Sequence, residues 1–270
     1  MGLLAPAILL AACASAPPNV ATRLDALLPA DAILLGEQHD APEHQRLERA
    51  VVEALAARGV LAAVALEMAE QGRSTQGLAR DASEAQAQAA LQWSEPAWPW
   101  AAYGPVVMAA VRAGVPVLGA NLPRGRMRDA MADARLDRQL AGPALKAQQQ
   151  QIRRGHCDLL PESQIAPMTR VQIARDQSMA ATLAGAAAPG RVVLLLAGSG
   201  HVDQALGVPR HLPSDFNAKT IRLLPERAPT AIKTIAKFDA VWDTPAVPDK
   251  DHCAELARNA PLATTPSPGP

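Results

Sequence analysis

The chain has 270 residues, of which 49% are apolar, and its 26 basic and 26 acidic side chains leave no formal net charge. This length and apolar content suit one domain with room for an inserted lobe and exclude a chain that is mostly disordered. The charge balance excludes a broad nucleic-acid-binding face, which needs clustered excess Lys and Arg.

The N-terminus carries a short apolar run ending in Leu10-Ala11-Ala12-Cys13, which looks like a bacterial lipoprotein signal peptide. Residues 1–12 are therefore expected to be the signal peptide and Cys13 the acylated residue. Residues 13–26 are expected to form a small, Pro-containing tether. No Lys or Arg precedes the apolar run, a departure consistent with a start further upstream. The run is too short to span a bilayer, so the expected attachment is a lipid anchor. Ala14, rather than Asp, follows Cys13. By resemblance to other lipoproteins this places the chain in the bacterial cell envelope, on the outer membrane facing the periplasm.

Five aliphatic runs follow in order: Ala32–Leu35, Leu61–Leu66, Val115–Leu118, Arg191–Leu196 and Thr220–Leu224. Apolar runs without polar alternation suit strands buried on both faces of a parallel sheet. Lys237–Trp242 alternates better and reads as an edge strand. A helix is expected over Pro42–Arg58, with Leu47, Val51, Ala54 and Leu55 on one stripe, Asp40 as N-cap and Gly59 as stop. A second is expected over Tyr103–Ala113, ending at Gly114. Residues 124–189 hold no strand pattern and read as an inserted helical lobe. The predicted fold is α/β: a parallel sheet flanked by helices over 27–123 and 190–245, the lobe between them, and a disordered Pro-rich tail over 258–270.

The strands end in polar residues: Gly36-Glu37-Gln38-His39, Glu67, Gly119-Ala120-Asn121 and Gly198-Ser199-Gly200-His201. In a parallel sheet these ends share one edge, where ligands bind. Glu37, His39, Glu67, Asn121 and His201 are thus expected to converge. Singly, Glu67 reads equally as a helix cap and His201 as a loop histidine; the agreement of four strand ends favours a site. Two His and two Glu suit a divalent metal, with a carboxylate left for general-base work. His44 reads as a solvated residue on the helix surface, with the crevice as its alternative. Arg175-Asp176 is either a structural pair or part of the site. His156 beside Cys157 is a weak metal signal.

Aromatic residues make up only 3% of the chain, yet Trp93, Trp98, Trp100 and Tyr103 are clustered. They suit either a packing corner or a flat apolar lining with one phenol, as a planar cofactor such as haem favours. With Cys13 acylated, Cys157 and Cys253 remain as a disulfide or as two buried thiols.

Several of these segments together resemble the ChaN-like family of haem-binding lipoproteins. They are Ile33–His39, Leu66-Glu67-Met68, Trp100-x2-Tyr103-x-Pro105, Gly119-Ala120-Asn121-x-Pro123, Gly155-His156-Cys157, Arg175-Asp-x-x-Met179-Ala180 and Gly198-x-Gly200-His201. The resemblance covers about residues 30–205. It implies a parallel sheet with a smaller helical domain, and haem held face to face at a homodimer interface. It also implies a tyrosine ligand to iron and a partner histidine on the propionates. Tyr103, the sole Tyr, is the only residue onto which that ligand carries over, and His156 and His44 are the candidates for the propionate contact. Trp100, Asn121 and Arg175 complete the expected haem-binding set. The Gly-x-x-His pairs at 36–39 and 198–201 are also similar to a wider superfamily with Tiki-type proteases and erythromycin esterases. That implies an alternative, a metal-dependent hydrolase using Glu37, His39, Glu67 and His201. Fold alone does not decide between the two.

Overall fold

The computed structural model describes residues 20–226, 237–248 and 250–259. The signal peptide, Cys13, the first part of the tether and all but the start of the tail lie outside the described residues. Six strands form one all-parallel sheet: β1 (Ala32–Glu37), β2 (Leu61–Glu70), β3 (Val117–Asn121), β4 (Val192–Gly198), β5 (Ala218–Pro225) and β6 (Ala240–Thr244). Their order is β3-β2-β4-β1-β5-β6, with β6 on the edge. Among the described residues no helix is long and apolar enough to cross a membrane.

The helices are α1 (Val20–Asp25), α2 (Pro42–Ala57), α3 (Glu84–Leu91), α4 (Trp100–Ala113), α5 (Met127–Ala132), α6 (Gly142–Gly155), α7 (Glu162–Ala186) and α8 (His252–Asn259). The strands read as continuous apolar runs because both faces of the sheet are covered. Alternate residues point to opposite sides. Ile33, Leu35, Val64, Leu66, Leu194 and Leu196 pack with Val51, Val52 and Leu55 of α2 and Val107, Met108 and Val111 of α4. Leu34, Ala63, Ala65, Val193, Leu195 and Ala197 pack with Met179, Ala180 and Leu183 of α7. Residues 124–186 hold helices and short 3-10 turns but no strand, with a separate small core of Ala130, Leu136, Leu140, Val171 and Ile173.

Four details differ from the sequence expectations. Residues 20–25, expected within the tether, are helical because Leu24 is buried against the core. Helix α3 was not expected, although Ser83 and Gln86 form the capping box that announces it. The N-cap of α2 is Ala41, not Asp40, and no side chain caps it. Pro42 has no N–H to cap, and Asp40 instead accepts from Gln38 and pairs with His252 at 3.0 Å. Helix α4 begins three residues early, at Trp100, whose N–H donates to the Glu95 carboxylate.

Cys157 and Cys253 form a disulfide that joins α8 to the end of α6. This settles the choice left open between a bridge and two buried thiols.

Candidate functional site

The chain leaving β2 runs to β3, while the chain leaving β4 runs to β5 on the other side of the sheet. Such a reversal opens a crevice at the carboxyl ends of the two strands. Register against β3 slips between Leu66 and Glu70, where four steps on β2 match two on β3, from Gly119 to Asn121. This bulge re-aims the end of β2. Glu67, Met68, Ala69 and Glu70 thereby all reach the wall of a cavity of about 890 Å³, within the size range of small-molecule sites.

The strand-end residues do converge. His39 lies on the turn after β1, and its Nδ1 donates to Glu37 Oε1 at 2.7 Å. The same oxygen accepts from the Tyr103 hydroxyl at 2.8 Å, and Glu37 Oε2 accepts from Gln45 Nε2 of α2 at 2.5 Å. Glu67 Oε2 accepts from the Gly198 N–H at 2.7 Å and lies 3.7 Å from His39 Nε2. His201 sits between two carboxylates, with Nδ1 donating to Asp176 Oδ1 at 2.6 Å and Nε2 3.3 Å from Glu67 Oε1. Gly198 permits the approach of His39: a Cβ there would lie 2.9 Å from His39 Nε2.

The electrostatics follow from burial and pairing. Burial alone would lower the His201 pKa, but Glu67 and Asp176 raise it to about 10, so the ring is a buried imidazolium at neutral pH. Burial would raise Glu67, yet His201, His39 and the Gly198 N–H hold it well below the usual carboxylate range. Burial dominates at Asp176, pushing it up to about 6 against the pull of His201. Burial also opposes protonation of His39, but Glu37 and Glu67 prevail and raise it. Burial, and then the neighbouring Glu37 carboxylate, push the Glu48 pKa well up within the core.

The expected site residues divide into three groups. His39, Glu67, Asn121 and Arg175 line the cavity, and Asn121 holds the bulge by donating from Nδ2 to Glu67 O at 2.8 Å. Glu37 and His201 stand behind them, buried. The others lie elsewhere. Tyr103 is 2% exposed, and burial together with Glu37 pushes its ionisation far above normal. It is a neutral phenol that lies beneath the cavity wall and donates to Glu37. Trp100 is also buried, donating from Nε1 to Glu84. His44 is not solvated: fully buried, it accepts from the Gln38 N–H and bonds Thr244 of β6. His156 closes α6, donating from Nδ1 to Ile152 O.

The divalent-metal expectation is not supported. Among the described residues no group of three or more His, Cys, Asp or Glu could hold a metal ion. The strand-end side chains spend their lone pairs and protons on one another. This removes the main support for the hydrolase alternative.

Three cavity residues went unnoticed in the sequence: Arg73, Arg124 and Met127. Each lies outside a strand end, so the edge argument could not reach it. Glu48 and Gln45 were also missed, although 44, 48, 51, 52 and 55 have helical spacing and form the buried face of α2.

A model of the family described as haem-binding uptake, Tiki superfamily, ChaN matches residues 23–212. Among solved structures, the chain is similar to ChaN of Campylobacter jejuni, whose structure is described as showing cofacial haem binding. The two share 26% identity over 75% of this chain and 84% of that chain, with a TM-score of 0.62. The type III effector HopBA1 aligns at 14% identity over 86% of this chain and 96% of its own, with a TM-score of 0.49. RRSP, a MARTX toxin effector domain from Vibrio vulnificus CMCP6, aligns at 14% identity over 75% and 35%, with a TM-score of 0.42. No curated protein matches the chain. The family match runs through β1 to β4 and the helical lobe, which together build the cavity, and the chain belongs to the haem-binding uptake family of ChaN proteins in the Tiki superfamily.

Proposed function

We propose that this protein binds haem in the cavity at the carboxyl edge of the sheet. The observation that carries the proposal is the lining. Trp93, Trp98, Leu91, Leu122, Met68 and Met127 offer apolar cover, and Arg73, Arg124 and Arg175 stand at the same wall. Haem presents a planar apolar body and two carboxylates, and it needs a donor to iron. Among the described residues neither Arg73 nor Arg175 has a carboxylate within 4.0 Å, whereas Glu67 and Glu70 are paired with His201 and Arg124. The two arginines are therefore suited to the propionates, as charge-assisted bonds require. Asn121 Oδ1 is buried at the wall without a partner among the described residues, a further polar anchor. When bound, haem supplies iron coordination and redox chemistry; the chain's own residues bind it, orient it and exclude water.

The finer parts of the proposal are a lipid anchor on Cys13, attachment to the outer membrane facing the periplasm, a homodimer formed on haem binding, and a role in haem or iron handling. The ChaN resemblance and the N-terminal sequence support them.

Titration of the purified chain with ferric haem, followed by visible spectroscopy, is expected to give a saturable Soret shift. Arg175→Ala is expected to weaken binding about tenfold, equivalent to ~1.4 kcal/mol. Absence of a saturable shift in the wild-type chain would refute the proposal. Light scattering with and without haem tests the dimer, and a mass unchanged by haem would remove it.

A further inference from the structure

We infer that the Cys157–Cys253 bridge is a thiol–disulfide exchange site for a dithiol reductant, and that through α8 it straps down the turn that brings His39 to the cavity wall. The strap acts on that turn whether or not haem fills the cavity.

The bridge is open to attack and joins a weakly held element. Exposed disulfides are the labile ones, whereas bridges within packed structure resist reduction. Cys253 is exposed and Cys157 half-buried. His252, Leu256 and Arg258 of α8 are exposed as well, and among the described residues none of α8 belongs to a hydrophobic cluster. Cys157 takes the position just past the end of α6 where glycine is usual. Its φ is 57° and that of Asp158 is 55°, left-handed conformations that are costly for a residue with a Cβ. Opening the bridge frees this corner to relax, which favours the reduced form.

The other end of the strap reaches the site. His252 Nε2 lies 3.0 Å and Lys250 Nζ 4.0 Å from Asp40 Oδ2. Asp40 Oδ1 accepts from Gln38 Nε2 at 2.8 Å, and the Gln38 N–H donates to His44 Nδ1 at 2.9 Å. Asp40 thus braces the turn after β1 from one side and α8 from the other. His39, between Gln38 and Asp40, lines the cavity. Release of α8 removes two cations from Asp40 and loosens the turn.

In the exchange, a thiolate of the donor attacks the exposed Cys253 sulfur. The bond between the two cysteines breaks, and the Cys157 sulfur leaves as a thiolate that takes up a proton. The donor's second thiolate then attacks the mixed disulfide, closes the donor's own disulfide and releases Cys253 as a thiol. Two electrons and two protons pass from the dithiol to the chain.

The test is hydrogen exchange read by mass spectrometry on the native chain before and after treatment with dithiothreitol, with thiols counted by alkylation. Dithiothreitol is expected to open the bridge without denaturant. Exchange at residues 38–44 is expected to become at least about tenfold faster, with β1, β2 and β4 unchanged. Cys253→Ser is expected to reproduce this without reductant. Asp40→Asn is expected to speed exchange of the turn while the bridge is intact, and reduction is then expected to add little there. A bridge that yields only in urea overturns the exchange site. Release of α8 with no change at residues 38–44 overturns the strap, and faster exchange across the whole sheet would make the bridge a general staple and overturn it equally.

Discussion

Tyr103→Phe isolates one hydrogen bond under the site. The substitution keeps the ring, so its packing against Trp98 and Trp93, at centroid distances of 5.9 and 6.1 Å, is preserved. What is lost is the O–H donated to Glu37 Oε1 at 2.8 Å, in a place where both side chains are almost fully buried. Removing one partner of a buried hydrogen bond costs about 1–3 kcal/mol, because the remaining group keeps its desolvation penalty. Glu37 Oε1 still accepts from His39, and Oε2 from Gln45, so the lower part of that range applies, about 1–2 kcal/mol. For a domain of this size that corresponds to a fall in Tm of about 2–8 °C. Urea denaturation monitored by circular dichroism measures the free energy, and thermal denaturation the Tm. A Tyr103→Phe protein as stable as the wild type would show that the phenol does not serve Glu37.

Three further outcomes are expected. His201 has its pKa raised from 6.5 to about 10; its contribution is therefore complete below about 6.5 and is lost as pH rises through about 10. The wild-type Tm should fall between neutral pH and pH values near that upper limit, and His201→Asn should flatten this slope; identical slopes would refute the imidazolium. Gly36→Ala should destabilise the chain by about 1–3 kcal/mol, since a Cβ there would lie 2.3 Å from Val202 Cγ2 and 2.9 Å from Ser199 Cα; unaltered urea denaturation would show that this corner yields. Reduction of Cys157–Cys253, a bridge between residues 96 apart, should speed tryptic cleavage at Lys250 while the sheet stays folded, because α8 meets the rest of the chain at its edge. Unchanged proteolysis would mean that α8 is held by other contacts.

Much of the framework was legible in the sequence because a doubly covered parallel sheet leaves a local signature. Leu34, Val64, Val193 and Leu195 belong to unbroken apolar runs for the same reason that they are buried: helices cover both faces. The convergence of Glu37, His39, Glu67 and His201 was equally legible, because parallel strands must place their carboxyl ends along one edge. The same logic misled where residues are not at strand ends. His44 has the surroundings of a surface helix in sequence, but α2 turns it inward to Thr244, 200 positions away. Tyr103 matched a family motif and was the only phenol available. Whether that phenol faced a ligand depended on the path of α4, which lays it over Glu37.

By itself, then, the sequence determined the alternation of strands and helices, the sheet edge that carries the polar residues, and the motifs that mark the family. The tertiary structure alone decided which of those polar residues reach a cavity and which are spent on one another. It bridged Cys157 to Cys253, brought Arg73, Arg124 and Arg175 to one wall, and buried the phenol. The physical reason is one of range. Periodicity and strand-end chemistry act over a few residues, whereas hydrogen-bond pairing and burial depend on side chains that the crossover connections bring together from distant parts of the chain.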